Sequence, residues 1–387
     1  MRIPISIYGL IARIINLFVP VKPKHWIFGA DYGNMYREGS KYLLEYMLEH
    51  HKDYHCTFIT RNRDVKLLLD NKGIPCEMNF SLRGMIEISQ ADSIFTCQVI
   101  NDVYFAYRKR HRSHYYLVHG QPLKKAFFSL DSDKLNNNKF NLFHYLTLGV
   151  SFKDIAFVSA TSNFLKPFME KDFGYMLPVK ILGMPRNDVL FDHKKILSQK
   201  WIDDLNEKFV VTYMPTHRKY GNGDISPIPF LQRQDYQQWM RNNNVVLLVK
   251  QHPNMIPKLT DVKQSDVIRD ITCDCLDPQV CLYHSDVLIT DFSSVWMDYL
   301  LLRRPILFYF YDNFEQDDAG CHYNIRENPP GYFCTNEDDL FNLIKKTKED
   351  FEAMCPSDQI ISKYHKYVDG NSCERYFNTI KGTNQDI

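Results

Sequence analysis

Along residues 1–20, MRIPISIYGLIARIINLFVP, the non-apolar positions are Arg2, Ser6, Gly9, Arg13 and Asn16. At roughly 100° per residue they fall in one narrow sector, and the remaining circumference is Ile, Leu, Val, Phe and Tyr. The spacing predicts an amphipathic helix with a wide apolar face, ended by Pro20 and followed by Lys22 and Lys24. The run is short for a membrane span and carries Arg13 in its middle. No small-residue cleavage site follows, which disfavours a signal peptide. Two arrangements fit: a helix lying in the interface of an anionic membrane surface, the expected one, and a helix packed on a domain core.

Beyond residue 20 the period changes. Short apolar runs at 25–28, 56–59, 93–97, 115–118 and 155–159 read as buried strands, with helical spacing between several of them, as at 40–49 and 82–90. Alternation of this kind predicts a parallel sheet with helices on both faces. A charged stretch at 192–206 interrupts the pattern, which restarts with apolar runs at 209–213, 245–249, 287–290 and 306–309. A length of 387 residues suits two domains. The expectation is two doubly wound α/β domains, joined near residue 200 and facing a cleft.

Composition narrows the chemistry. The net charge of +1 gives no bulk electrostatic reason to expect a nucleic-acid partner. The ten cysteines are scattered, no C-x-x-C occurs, and Cys273 and Cys275 are too close for a zinc knuckle. No His/Cys set has metal-ligand spacing, so no metal site and no cofactor are expected. The cysteines read as reduced core residues of a cytosolic protein. The P-loop, the dinucleotide fingerprint and the nucleophile elbow are all absent. The pairs Asp203-Asp204 and Asp317-Asp318 sit in polar runs and read as solvated surface.

In open α/β sheets ligands bind beyond the carboxyl ends of the strands. After 115–118 comes His119-Gly120-Gln121-Pro122-Leu123-Lys124-Lys125. A histidine there suits general-base work, and the lysines offer charge to a phosphate; a turn with a solvated basic pair fits the segment equally. After the later strands come Thr216-His217-Arg218, Lys250-Gln251-His252-Pro253 and Thr290-Asp291-Phe292-Ser293-Ser294. Arg218 and Lys250 can supply charge-assisted donors to a pyrophosphate, and His252 can donate to a leaving phosphate or act as an acid. Ser293 or Ser294 suits an N-cap for a helix running to about Leu302. With no carboxylate expected in its first turn, that helix end is read as open to an external anion, ahead of simple capping. Asp291 would then orient a donor or bind a hydroxyl. The basic run YRKRHR at 107–112 fits lipid headgroups, an anionic acceptor or a solvated loop.

Six segments together resemble one family, the CDP-glycerol glycerophosphotransferases of teichoic acid and capsule assembly. VHGQPLKK (118–125), ILGMPRNDVL (181–190), VVTYMPTHRKY (210–220), LVKQHP (248–253), ITDFSSVWMDYLLLRRPILFYFYD (289–312) and DGNSCERYFNTI (369–380) are similar to its motifs and stand in its order. The resemblance implies a GT-B arrangement of two Rossmann-like domains on the cytoplasmic face of the membrane, peripherally attached. Residues 1–20 would be the interfacial helix, 21–195 the acceptor domain, 205–365 the CDP-alditol domain and 366–387 a C-terminal helix. It implies transfer of glycerol phosphate from CDP-glycerol to a hydroxyl of a lipid-linked saccharide or polymer acceptor, releasing CMP.

By motif position His119 would be the catalytic base, with Gly120 and Lys124 on the acceptor side. His252 would meet the pyrophosphate, with Thr216, Arg218, Lys250, Ser293 and Ser294. Arg186, Asn187 and Asp291 would line the cleft. No protein-bound metal is implied, and a divalent ion assisting the substrate is left open. Gln121, His217 and Phe292 depart from the family's usual Thr, Phe and Tyr. Ribitol phosphate from CDP-ribitol, a sugar-nucleotide glycosyltransferase and a non-catalytic membrane-attached binding module remain as alternatives.

Overall fold

Each residue of the run His25–Phe28 is buried, and the reason is a neighbour on either side. In the computed structural model this run is β1, flanked by β2 (His55–Thr60) and later by β4 (Ser93–Thr96). With β3 (Cys76–Met78) and β5 (Ser113–Tyr116) they form a parallel sheet of order β3-β2-β1-β4-β5. The structure describes residues 5–98, 100–107, 109–129, 154–192, 202, 205, 207–216, 233–251, 264–275, 277–311 and 320–385.

Strand periodicity divides the core. Trp26, Phe28, Phe58, Phe95 and Tyr115 face one side, where Leu43, Leu44 and Met47 of α2 (Glu38–His50) meet Tyr376 and Ile380 of the helix Ser372–Gln385. Ile27, Ile59 and Ile94 face the other, against Ile88 of α4 (Leu82–Gln90). The aromatic side is layered: Phe95 stacks on Phe28 at 4.8 Å and on Tyr115 at 5.0 Å. α3 (Arg63–Asn71) joins β2 to β3. Two further short strands, β6 (Val158–Ala160) and β7 (Val179–Ile181), pair parallel with each other.

The second unit repeats the plan. β8 (Phe209–Tyr213), β9 (Val245–Val249), β10 (Ile268–Asp270), β11 (Val287–Thr290), β12 (Ile306–Tyr309) and β13 (Tyr332–Cys334) are parallel in the order β10-β9-β8-β11-β12-β13. Its core joins Val211, Leu247, Ile289 and Leu307 to Tyr236 and Met240 of the helix Gln234–Asn242 and to Leu340 and Ile344 of the helix Glu337–Glu349. The first unit comprises Met1–Gln121, Ala126–Asp188 and Asp369–Ile387, and the second Pro122–Lys125 and Val189–Val368. In both sheets the chain adds strands to one side, then returns to the first strand and builds the other way. The reversals fall between β1 and β4 and between β8 and β11, the places where such sheets open a ligand crevice.

Four strands escape a hydrophobicity pattern. β3, β7, β10 and β13 have three residues each, too few to show a period. β5 runs from Ser113 to Tyr116 instead of 115–118, so Leu117 and Val118 already belong to the loop that presents His119.

α1 (Ile5–Phe18) docks by the face that carries Ile5, Tyr8, Gly9, Ala12 and Ile15. Gly9 and Ala12 are buried, Arg13 lies over the Tyr107 ring, and the Tyr107 hydroxyl donates to the Gly9 carbonyl at 2.9 Å. The opposite face, Ile7, Leu10, Ile11, Ile14, Leu17 and Phe18, is exposed. No helix among the described residues is long and apolar enough to cross a membrane.

The basic run 107–112 is not a solvated loop throughout. Arg112 donates to the carbonyls of Ile88, Ser89 and Ala91 at the end of α4, and to that of Tyr107. Lys109 donates to the carbonyls of Val19 and Ser89. Helix ends leave carbonyls without intrahelical donors, and these two side chains supply them. Arg110 and His111 remain exposed.

Candidate functional site

The switch point of the first unit is organised by a fully buried carboxylate. Asp102 accepts from the Tyr32 N–H at 2.7 Å and from the Cys97 and Gln98 N–H groups at 2.8 Å, tying the loop after β1 to the loop after β4. Gly29, just past β1, is required there, because a Cβ would lie 2.5 Å from the Val103 side chain. Beyond it Asp31 pairs with Arg37 at 3.1 Å, and both Asp31 and Tyr32 sit in the left-handed region. Glu38, at the first position of α2, is left-handed as well, with φ 63°.

β5 delivers His119 to the same rim. Val118 has φ 51°, a strained setting for a β-branched residue, and it turns the chain so that His119 is exposed. Arg186 lies beneath. Its Nη1 is 2.5 Å from Glu38 Oε2 and also donates to the His119 carbonyl. Protein crowded around the His119 ring lowers its pKa; Glu38 opposes this, Arg186 and Arg37 add to it, and a hydrogen bond to the Cys97 backbone opposes it again. That bond occupies one ring nitrogen, so the neutral imidazole keeps the other as an acceptor.

Asn187 is buried behind Arg186, its N–H bonded to the Met184 carbonyl at 2.9 Å. Asp188 faces away from the rim: its carboxylate accepts from the N–H groups of Ser372 and Cys373 at 2.9 and 2.7 Å, capping the helix Ser372–Gln385. In the segment PRND the arginine therefore supports His119 while the aspartate anchors a helix.

In the second unit the switch point is bridged by side chains. Asp291, directly after β11, accepts from the Thr216 N–H at 2.8 Å and from its hydroxyl at 2.6 Å. Thr290 donates to the Met214 carbonyl at 2.7 Å. Ser293 and Ser294 follow, half-buried. Ser294 takes the N-cap position, but its side chain makes no capping bond, and the helix Val295–Leu300 is shorter than its pattern suggests. A carboxylate does sit in its first turn: Asp298 is buried there and accepts from the Gln279 amide at 3.1 Å. The helix end is thus less open to an anion than expected, and the polar groups on this rim are those of Thr216, Ser293 and Ser294.

Lys250 is buried after β9, within electrostatic reach of the thiols of Cys275 and Cys281. Gly120 follows His119 in the first unit, whereas Lys124 forms an antiparallel bridge with Cys321 in the second. Asp203, Asp204, His217, Arg218, His252, Pro253, Asp317 and Asp318 lie outside the described residues. Sequence reasoning missed Glu38 and Asp102. Glu38 had a usable signal, since it opens the helix that follows the first strand; Asp102 gave none, because the partners that define its role are backbone N–H groups.

Two parallel doubly wound units, each with polar groups at its switch point, define a protein of the GT-B type. Residues 11–382 match the family described as CDP-Glycerol:Poly(glycerophosphate) glycerophosphotransferase, and the chain belongs to that family of transferases. It is 32% identical over 246 residues to the teichoic acid glycerol-phosphate primase of Bacillus subtilis (strain 168), covering 62% of this chain and 58% of that protein. It is 26% identical over 370 residues to the teichoic acid poly(glycerol phosphate) polymerase of Bacillus spizizenii (strain ATCC 23059 / NRRL B-14472 / W23), covering 89% of this chain and 88% of that one. The fold matches the structure of the wall teichoic acid polymerase TagF with a TM-score of 0.75 at 19% identity, over 98% of this chain and 96% of that chain.

Proposed function

We propose that this chain transfers glycerol phosphate from CDP-glycerol to a hydroxyl of a membrane-linked acceptor in teichoic-acid-like or capsule polymer synthesis, releasing CMP. The observation that carries the reading is the family match running through both switch points, from residue 11 to residue 382. His119 takes the acceptor proton on its free ring nitrogen. The acceptor oxygen attacks the phosphorus bearing glycerol, a new O–P bond forms, and the bond to the CMP phosphate breaks. Charge grows on the transferred and departing phosphates, so fixed donors are what the step needs. Ser293, Ser294 and Lys250 are assigned to that charge, Asp291 holds Thr216 in place beside them, and the family motif adds Arg218 and His252. The step as proposed uses no cofactor and no protein-bound metal.

Attachment to the membrane is assigned to the exposed apolar face of α1, and a peripheral position on the cytoplasmic surface is part of this reading. Ribitol phosphate is the second reading, favoured by 29% identity over 239 residues to the teichoic acid ribitol-phosphate polymerase TarL of Staphylococcus aureus (strain NCTC 8325 / PS 47). The test is nucleotide release by the purified chain with a short lipid-linked acceptor, offered CDP-glycerol, CDP-ribitol and a panel of sugar nucleotides. CMP from CDP-glycerol, with acceptor mass rising by glycerol phosphate units, is expected. Release of UDP or GDP with a glycoside product would replace the reading with glycosyl transfer, and release of no nucleotide would leave a binding module.

A further inference from the structure

The amino-terminal edge of the first sheet holds a cluster that the transfer reaction does not use. β1 and β2 begin with His25 and His55, which are register partners, and Thr57 stands on the same face two residues on. α4 lays Glu87 across them. Glu87 Oε2 lies 2.9 Å from His25 Nε2 and 3.0 Å from His55 Nε2, and the two imidazole centroids are 4.3 Å apart. Thr57 Oγ1 is 3.3 Å from His55 Nε2 and 3.4 Å from Glu87 Oε2.

We propose that His25, His55 and Glu87 form a binding site for a divalent transition-metal ion, with zinc the best match to the donor set. The three donor atoms all lie within 4.8 Å of one another. A tetrahedral zinc ion with bonds of about 2.0–2.2 Å needs donors roughly 3.3 Å apart. The two nitrogen–oxygen separations are within a few tenths of an ångström of that edge, and the nitrogen–nitrogen pair, within 4.8 Å, closes on the ion by rotation of the exposed His55 ring. Both Nε2 atoms hydrogen-bond the same carboxylate oxygen, so an ion that replaces their protons meets three donor atoms at one point. Two imidazoles and a carboxylate suit zinc better than magnesium or calcium, which take oxygen ligands. Cys56 lies between the histidine positions in neither direction that counts: it packs in the aromatic core on the opposite face, so no sulfur joins the set.

The burial is graded as an accessible metal site requires. The His25 side chain is 4% exposed, Glu87 22% and His55 57%. The cluster is anchored from within and open on one side, where a water completes four ligands. Its place sets its role. His25 and His55 open their strands, while His119 follows the far end of β5, so the ion sits at the opposite edge of the same sheet from the proposed base. It ties β1, β2 and α4 together, and α4 is the helix against which α1 packs. The role is structural, and it does not depend on which donor the enzyme uses.

The test uses the full chain without a polyhistidine tag, stripped with chelator and dialysed. Zinc is titrated against a competing chelator, cobalt(II) absorption is recorded, and thermal unfolding is followed with and without zinc. One zinc ion per chain is expected, with tetrahedral cobalt bands and a raised Tm. His55→Ala and Glu87→Gln should each weaken zinc binding by on the order of 100-fold or more. His55 is exposed, so its variant is the one least dependent on refolding, and circular dichroism verifies both variants. Equal zinc affinity in wild type and both variants would overturn the proposal by locating the ion elsewhere, and so would the absence of stoichiometric binding in the wild type.

Discussion

One guanidinium nitrogen of Arg186 joins Glu38, 148 positions upstream, to the backbone of His119. Both side chains of the ion pair are nearly enclosed, 6% and 10% exposed. A buried pair of this kind contributes little net stability, yet removing one partner strands the other. Its value here is positional: it fixes the carbonyl of the residue assigned as the base.

Arg186→Met should therefore cost stability, about 3–5 kcal/mol, by leaving Glu38 uncompensated. Arg186→Lys should keep most of the stability and lose kcat, because one ammonium holds Glu38 and the His119 carbonyl less rigidly than a planar fork. Chemical denaturation alongside steady-state kinetics separates the two effects. Equal kcat in wild type and the lysine variant would remove the positioning role.

The pH profile carries a sign. Protein crowded around its ring holds His119 below the ordinary histidine range, so its neutral, proton-accepting form persists at lower pH than usual. The acid limb of kcat/KM is expected below the unperturbed value of about 6.5. Glu38→Gln removes a negative charge that favours the imidazolium, so the limb should move to still lower pH. A shift upward would mean that the titrating group is not His119. His119→Ala should reduce turnover by about 10²–10⁴-fold while CDP-glycerol binding changes only a few-fold.

In the second unit Asp291→Ala frees the Thr216 hydroxyl and leaves its N–H without that acceptor. The expected result is a raised KM for CDP-glycerol with a smaller loss of kcat, read by initial rates across donor concentration. Asp291→Asn retains an acceptor and should recover part of the loss.

The two faces of α1 predict opposite outcomes. Leu10 and Leu17 are 56% and 79% exposed, so the double substitution to Glu should change stability by no more than about 0.5 kcal/mol per site. It should abolish binding to anionic vesicles in a sedimentation assay. Gly9→Leu should instead force α1 from Tyr107, costing about 1–3 kcal/mol, while the apolar face keeps its affinity for vesicles.

The sheets were legible because their central strands carry short, nearly continuous apolar runs. His25–Phe28 and Val245–Val249 need no period to be recognised when both faces are covered. The edge strands β3, β10 and β13 were not, since three residues carry no pattern. At the candidate site, His119, Thr216 and Asp291 were singled out by their positions just beyond strands. What eluded the sequence are groups whose partners are backbone atoms or distant in the chain. Arg112 looked like surface charge until its carbonyl partners came from α4. Asp102 and Asp188 bind only N–H groups in the bonds that define their roles, and no side-chain pattern records that. His25, His55 and Glu87 lie too far apart in sequence for any ligand-spacing motif, and parallel register brings them together.

The helix Ser372–Gln385 closes the core begun by Trp26, and its cap, Asp188, waits 184 residues for its partner Ser372. During synthesis the first unit is therefore left with an uncovered aromatic face while the whole of the second unit emerges. A ribosome stalled anywhere between residues 189 and 368 carries a chain whose second half can start to fold and whose first half cannot finish. Until the segment Ser372–Gln385 has been made, Trp26 and Phe95 lack part of the cover that completes their core.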